Sequence, residues 1–257
     1  MLRSRIIPCL LVHKRGLVKT VNFKDPKYVG DPLNAVKIFN EKEVDELMVI
    51  DIDATVEGRE PDFDLIRNIA IECRMPLCYG GGVKTVAHAK KIISLGAEKV
   101  ALSAAAIQNT LLLKEIADAV GSQSVVVVID VKKKKFFGGY GIVTHNGKKG
   151  ADIKLERFLQ ELNEIGIGEL VVNSVDEDGK MSGYDFKLFD LIRKETEMPL
   201  TILGGAGSTD DMGKAIQRYQ TIGVAAGSMF VFKGKYRAVL ISYPSIKERW
   251  DLYQLTN

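Results

Sequence analysis

Eight times along the chain, a short and continuously apolar run is followed by an amphipathic stretch with helical spacing. The runs are 5–12, 46–52, 76–79, 99–104, 124–131, 169–174, 199–203 and 222–226, each β-rich and apolar throughout instead of alternating. A strand without a polar face is covered on both sides, which is the condition of a parallel sheet. Between the runs lie segments such as "FDLIRNIAIECR", "KLERFLQELNEIG" and "DDMGKAIQRYQ". Their apolar residues recur at i, i+3, i+4 and i+7. Several stop at a glycine (Gly96, Gly121, Gly166), as helix C-termini do. A doubly wound sheet also alternates strand and helix, but eight units in 257 residues, with no linker, is the number of the (βα)8 TIM barrel. The prediction is one α/β barrel domain over residues 1–257.

The chain also repeats. "MPLCYGGGVKT" (75–85) matches "MPLTILGGAGS" (198–208), and "ALSAA" (101–105) falls on "VAAGS" (224–228). The barrel therefore reads as two similar half-barrels of four units each. Laying "RIIPCLLVHKRG" beside "SVVVVIDVKKKK" puts Leu11 opposite Asp130, so only the second half carries an acid at the end of its first strand.

In such barrels the active site is built on the loops at the C-terminal ends of the strands. Two glycine-rich turns lie there in corresponding places: Gly80–Gly82 followed by Ser103 and Ala104, and Gly204–Gly207 followed by Gly227 and Ser228. Glycine lets backbone N–H groups approach a phosphate closely. One turn alone would be an ordinary strand-to-helix connection, but two related by the repeat suggest a ligand with a phosphate at each end. Asp51, Asp53, Asp130, Asp176 and Asp178 stand at or just beyond strand ends. Asp130 closes the run "VVVVID" and is the leading candidate for acid–base work, against an ion pair with the lysines that follow. Asp51 reads equally as an ion-pair partner inside the upper barrel. Asp178–Gly179 opens a polar loop whose N–H groups can reach the second phosphate. Lys19, after strand 1, is either a cover for a phosphorylated ligand or a solvated lysine. At the other ends of the strands stand Arg5, Glu46, Lys99 and Glu169, which form either a salt-bridged ring or ordinary flanking charge.

Composition excludes several classes. Thirty-six basic against 33 acidic residues, a net +3, is too even for a dedicated nucleic-acid binder. No run of 18 apolar residues exists to span a membrane, and the N-terminus does not read as a signal peptide. Cys9, Cys73 and Cys78 lack metal-like spacing and read as reduced core thiols of a cytoplasmic protein, Cys9 in the barrel interior. His13, His88 and His145 are scattered, so no metal site is expected.

Taken in order, "RIIPCL", "VNFKDPKYVGDP", "DELMVIDIDA", "YGGG", "VGSQSVVVVID", "VDEDGKMSGYD" and "GGAGS" resemble the cyclase subunit of imidazole glycerol phosphate synthase, over residues 1 to about 232. The resemblance implies a bisphosphorylated ribosyl-aminoimidazole substrate at the top of the barrel and no cofactor. It implies a class I glutaminase as heterodimer partner on the bottom, N-terminal face, with ammonia passing through the barrel. Arg5, Glu46, Lys99 and Glu169 would then be the ammonia gate. Asp130 would be one catalytic acid and Lys19 the mobile-loop lysine. Gly81, Gly82, Ser103 and Ala104 would hold one phosphate, and Asp178, Gly179, Gly205, Gly227 and Ser228 the other. Ser103 stands where the family usually has Asn. The larger departure is Leu11: the family carries its first catalytic Asp there, in "CLDV", and this chain reads "CLLV". The segment "FKGKYRAVLISYPSIKERW" departs as well. Both suggest a divergent branch: either a synthase subunit that still uses ammonia to form imidazole glycerol phosphate or, alternatively, an ammonia-channelling subunit with impaired ring closure that serves a sugar amidotransferase in the amidination of a surface-polysaccharide sugar.

Overall fold

The computed structural model describes residues 3–134 and 138–256; Lys135, which ends the lysine run of loop 5, and the extreme termini of the predicted domain lie outside these. Eight parallel strands close on themselves: β1 (Arg5–His13), β2 (Leu47–Asp51), β3 (Leu77–Gly80), β4 (Lys99–Leu102), β5 (Val125–Lys133), β6 (Glu169–Ser174), β7 (Leu200–Leu203) and β8 (Gly223–Ala226). Each pairs with the next, and β8 returns to β1 through Arg5↔Gly223 and Ile7↔Ala225. The helices outside are α1 (Pro32–Glu41), α2 (Phe63–Glu72), α3 (Val86–Ser94), α4 (Leu111–Val120), α5 (Leu155–Ile165), α6 (Phe186–Glu195), α7 (Thr209–Tyr219) and α8 (Ile246–Tyr253). Side chains of Asp31, Asp62, Thr85, Asp185, Ser208 and Ser245 accept from N–H groups of the first turns they precede, which fixes where six of them begin. The fourth strand is shorter than its apolar run. The chain turns at Ser103 into a five-residue helix, Ala104–Gln108, so Ser103 sits in the turn and Ala104 opens the helix, neither in the strand. Glu46 likewise stands just ahead of its strand.

Strand alternation splits the hydrophobic residues into two cores. Ile6, Leu10, Val49, Leu77, Val127 and Ile202 face outward under the helices. Ile7, Cys9, Met48, Cys78, Val126 and Val171 face inward and fill the barrel, with Leu11, Ile50 and Val128 packed on top of them. Cys9 is thus an interior thiol, raised by burial to about 11. Cys73 is only half-buried and packs against the outer core, which corrects its reading as a core thiol.

Above the mouth the chain forms hairpins where its polar composition suggests coil. Strand β1 turns back through Gly16–Val21, with Leu11↔Val18, and that strand pairs with Lys24–Gly30. Strand β5 turns back through Tyr140–Thr144, with Asp130↔Val143. The first turn places Lys14 and Arg15 at φ 49° and 64°, the primed-turn conformation that normally selects Asn and Gly. Here Asp53 stabilises it, accepting from the Lys14 N–H at 2.8 Å and meeting His13 Nδ1 at 2.8 Å. After β8 a third hairpin pairs Phe232–Lys233 with Ala238–Val239. No helix among the described residues is long and apolar enough to cross a membrane.

Candidate active site

At the bottom of the barrel the four charges at the strand starts meet. Arg5 bonds Glu46 and reaches Glu169 at 2.8 Å; Lys99 Nζ lies 2.8 Å from both glutamates. Glu169 also accepts from the Thr201 hydroxyl. Both carboxylates are almost wholly buried. Burial pushes Glu169 up, but Arg5 and Lys99 outweigh it and hold the group below the usual carboxylate range. Burial pulls Lys99 down, and the two glutamates reverse that. The result is a neutral, closed ring of alternating charge with the apolar interior directly above it.

At the top, a cavity of about 300 Å³ opens among the β1–β5 ends. Its wall carries Leu11, Asp51, Gly81, Gly82, Ser103, Ala104 and Asp130. Asp130 accepts from Asn173 Nδ2 at 3.0 Å. Burial in the apolar collar raises its carboxyl to about 7; the Asn173 bond opposes the rise, and the Asp178 charge adds to it. A carboxyl there is close to half-protonated at neutral pH and can both give and take a proton. Asp51 is committed elsewhere. Its Oδ1 accepts the N–H groups of Asp53 at 2.9 Å and Ala54 at 3.1 Å, and Arg59 lies 3.6 Å from Oδ2. It shapes the β2 loop, which agrees with its reading as an ion-pair partner.

A second, smaller cavity of about 40 Å³ lies between the β1, β6, β7 and β8 ends. Lys19, Asp178, Gly179, Gly205, Gly227 and Ser228 line it together. Lys19 is not solvated. The first hairpin carries it inward until its ammonium donates to the Cys9 carbonyl, and burial lowers its pKa. It lies so close to Gly227 that a Cβ there would sit 2.4 Å from Nζ, so a side chain at 227 would displace the ammonium from its seat. Burial lifts Asp178 to about 6, while Lys19 and a 3.3 Å bond from Thr20 oppose the rise. Cys9, Leu11, Thr20, Phe23, Asn173 and Leu203 line both cavities. Position 11 is thus the partition between them, and it holds no proton donor.

Sequence reasoning did not single out Asn173, His145 or Asn146. Asn173 is legible in hindsight, since "LVVNSVD" contains a polar residue at an inward strand position. His145 and Asn146 reach the large cavity from the turn that joins Tyr140–Thr144 to the antiparallel pair Lys149–Gly150, where both adopt positive φ, 53° and 56°. Asn146 then donates to the Ile52 carbonyl at 3.1 Å and bridges the loops after β5 and β2.

The sequence profile of the histidine biosynthesis protein family matches residues 5–237. A protein of Vibrio vulnificus, named provisionally as an imidazole glycerol phosphate synthase subunit, is 53% identical over 255 residues, covering 99% of this chain and 98% of that one. A protein of Leptospira borgpetersenii with a similar provisional name is 50% identical over 253 residues, 98% and 100% of the two chains. An imidazole glycerol phosphate synthase subunit of Clostridium botulinum is 36% identical over 233 residues, 91% and 92%. The first two extend through the divergent tail, and the third does not cover the whole chain.

Proposed function

The chain belongs to the histidine biosynthesis protein family, and on that premise we propose that it is the ammonia-accepting cyclase-type subunit of a glutamine amidotransferase complex, acting on a bisphosphorylated ribosyl-aminoimidazole ligand. The observation that carries this reading is Asp130, poised near neutrality on the wall of a cavity flanked by two glycine-lined turns. One phosphate would rest against Gly81, Gly82, Ser103 and Ala104, the other against Gly179, Gly205, Gly227 and Ser228 with the Lys19 ammonium beside it. A class I glutaminase on the bottom face would release ammonia beneath the ring of Arg5, Glu46, Lys99 and Glu169. Beyond the ring the interior side chains are apolar, which suits an uncharged NH3 and excludes ammonium. In the cavity Asp130 would accept a proton as the ammonia nitrogen attacks and return it to the leaving group, with Asn173 holding the carboxyl in place. The experiment is steady-state turnover of the bisphosphorylated substrate with ammonium salt, compared with Asp130→Asn. The expected loss is ~10²–10⁴-fold; equal rates would sink the assignment.

Leu11 favours a second reading. With one cavity wall unable to move a proton, ring closure is impaired, and the barrel conducts ammonia toward a third protein that amidinates a surface-polysaccharide sugar. Here the measurement is the glutaminase rate of a co-purified partner with and without the barrel. No binding and no stimulation would exclude this role.

A further inference from the structure

The hairpin after β8 does more than end the barrel. Phe232 is buried at its base, and two cations lie over its ring: Arg237 at 5.3 Å and Lys27 at 5.1 Å from the centroid. Arg237 comes from the hairpin itself, while Lys27 comes from the outer strand of the hairpin after β1. Each cation also makes a backbone bond that joins two loops. Arg237 donates to the carbonyl of Gly179, in the loop after β6. Lys27 Nζ donates to the Arg237 carbonyl at 3.1 Å. Three loops are thus tied at one aromatic ring.

The tie bears on the small cavity from two directions. Gly179 lines that cavity, and its backbone is pressed against the first hairpin: a Cβ on it would fall 2.0 Å from the Thr20 carbonyl oxygen. Lys27 is the register partner of Lys19 across the same hairpin. Fixing Lys27 from outside therefore fixes the strand that holds Lys19 inside. Arg237 is half-buried and sits at φ 51°, a left-handed conformation that an arginine adopts at a cost and that its turn bond to Gly234 at 3.0 Å maintains.

We propose that Arg237 is a positioning residue: through Phe232, Lys27 and Gly179 it latches the first hairpin over the small cavity and keeps the Lys19 ammonium seated there. The part of the proposal that concerns anion binding rests on the function proposed above, but the latch itself does not.

The test is peptide-resolved acetylation of lysines in the intact protein, read by mass spectrometry, for wild type, Arg237→Ala and Arg237→Lys. In wild type Lys19 is slow because it is buried. In Arg237→Ala its labelling rises by about tenfold, the scale of one charge-assisted hydrogen bond. Lys99 in the bottom ring stays unchanged, and Arg237→Lys restores part of the protection. Lys27→Met, a change at an exposed side chain, shows the same rise and serves if Arg237→Ala fails to fold. Unchanged Lys19 labelling in folded Arg237→Ala or Lys27→Met overturns the latch. Inorganic phosphate, added as a probe, protects Lys19 in wild type. If labelling responds to the mutations but phosphate gives no protection, the latch stands and the anion site does not.

Discussion

The two halves of the barrel place different pairs at the same point. In the first half the upper ends of adjacent strands carry Leu11 beside Ile50; in the second they carry Asp130 beside Asn173. The backbones around them correspond. The first strand of each half has nine residues and turns back into a hairpin, each third strand is followed by a glycine-rich turn, and each fourth by a short helix. The difference therefore lies in side chains and not in architecture. One half supplies an apolar wall, and the other supplies a carboxyl and the amide that orients it. The apolar wall also acts on the acid, because the collar that contains Leu11, Ile50 and Val128 is part of what raises Asp130 to about 7.

The bottom ring gives the widest contrast between the halves. Glu46 and Glu169 occupy corresponding places and share Arg5 and Lys99, but only Glu169 also holds Thr201. Glu169→Ala should cost about 3–5 kcal/mol in urea unfolding, because it leaves two half-buried cations sharing the single carboxylate of Glu46 and strips the buried Thr201 hydroxyl of its acceptor. Glu46→Ala should cost less, and the reverse order would break the comparison.

Next in size is the pH dependence of stability. The Asp130 carboxyl is raised in the fold above its unfolded value near 4, so its contribution is intact below about pH 4 and is lost as pH rises through about 7. Relative to wild type, Asp130→Asn should gain stability on the order of 2–4 kcal/mol between pH 4 and pH 8. Parallel pH profiles of the two proteins would contradict a buried, elevated carboxyl.

The smallest effect comes from making the second half resemble the first. Asn173→Leu removes the amide that favours the ionised form, and should raise the Asp130 titration by about one unit. Carbon-13 NMR of the carboxyl reads this directly. A fall would mean that Asn173 does not stabilise the carboxylate.

The fold was legible because strands buried on both faces leave continuous apolar runs, and eight of them admit few arrangements. The layout of the top face was legible because glycine turns and strand-end acids have fixed positions in a barrel: Asp51, Asp130, Asp178 and glycines of both turns line the two cavities, whereas Asp53 and Asp176 do not. The ring was legible only as four charges at strand starts, since its closure depends on barrel curvature. The first hairpin was hidden because its turn uses Lys14 and Arg15 in positive φ, where no Asn-Gly or Asp-Gly pair marks it; the Asn146–Gly147 pair, both at positive φ, does mark the later turn, but the short strands beside it carry no alternating apolar pattern. The depth of Lys19 was hidden for the same reason, since a hairpin carries it inward and a coil would leave it in solvent.

The central claim is the proposal that the barrel binds a bisphosphorylated ligand and conducts ammonia but has one proton-transfer wall instead of two. Leu11→Asp tests it most directly. Turnover of the bisphosphorylated substrate with ammonium salt should rise by at least ~10²-fold over wild type, the contribution of one restored acid–base group, while stimulation of the partner glutaminase stays the same. A wild-type rate already equal to that of Leu11→Asp would show that position 11 limits nothing, and would contradict the account.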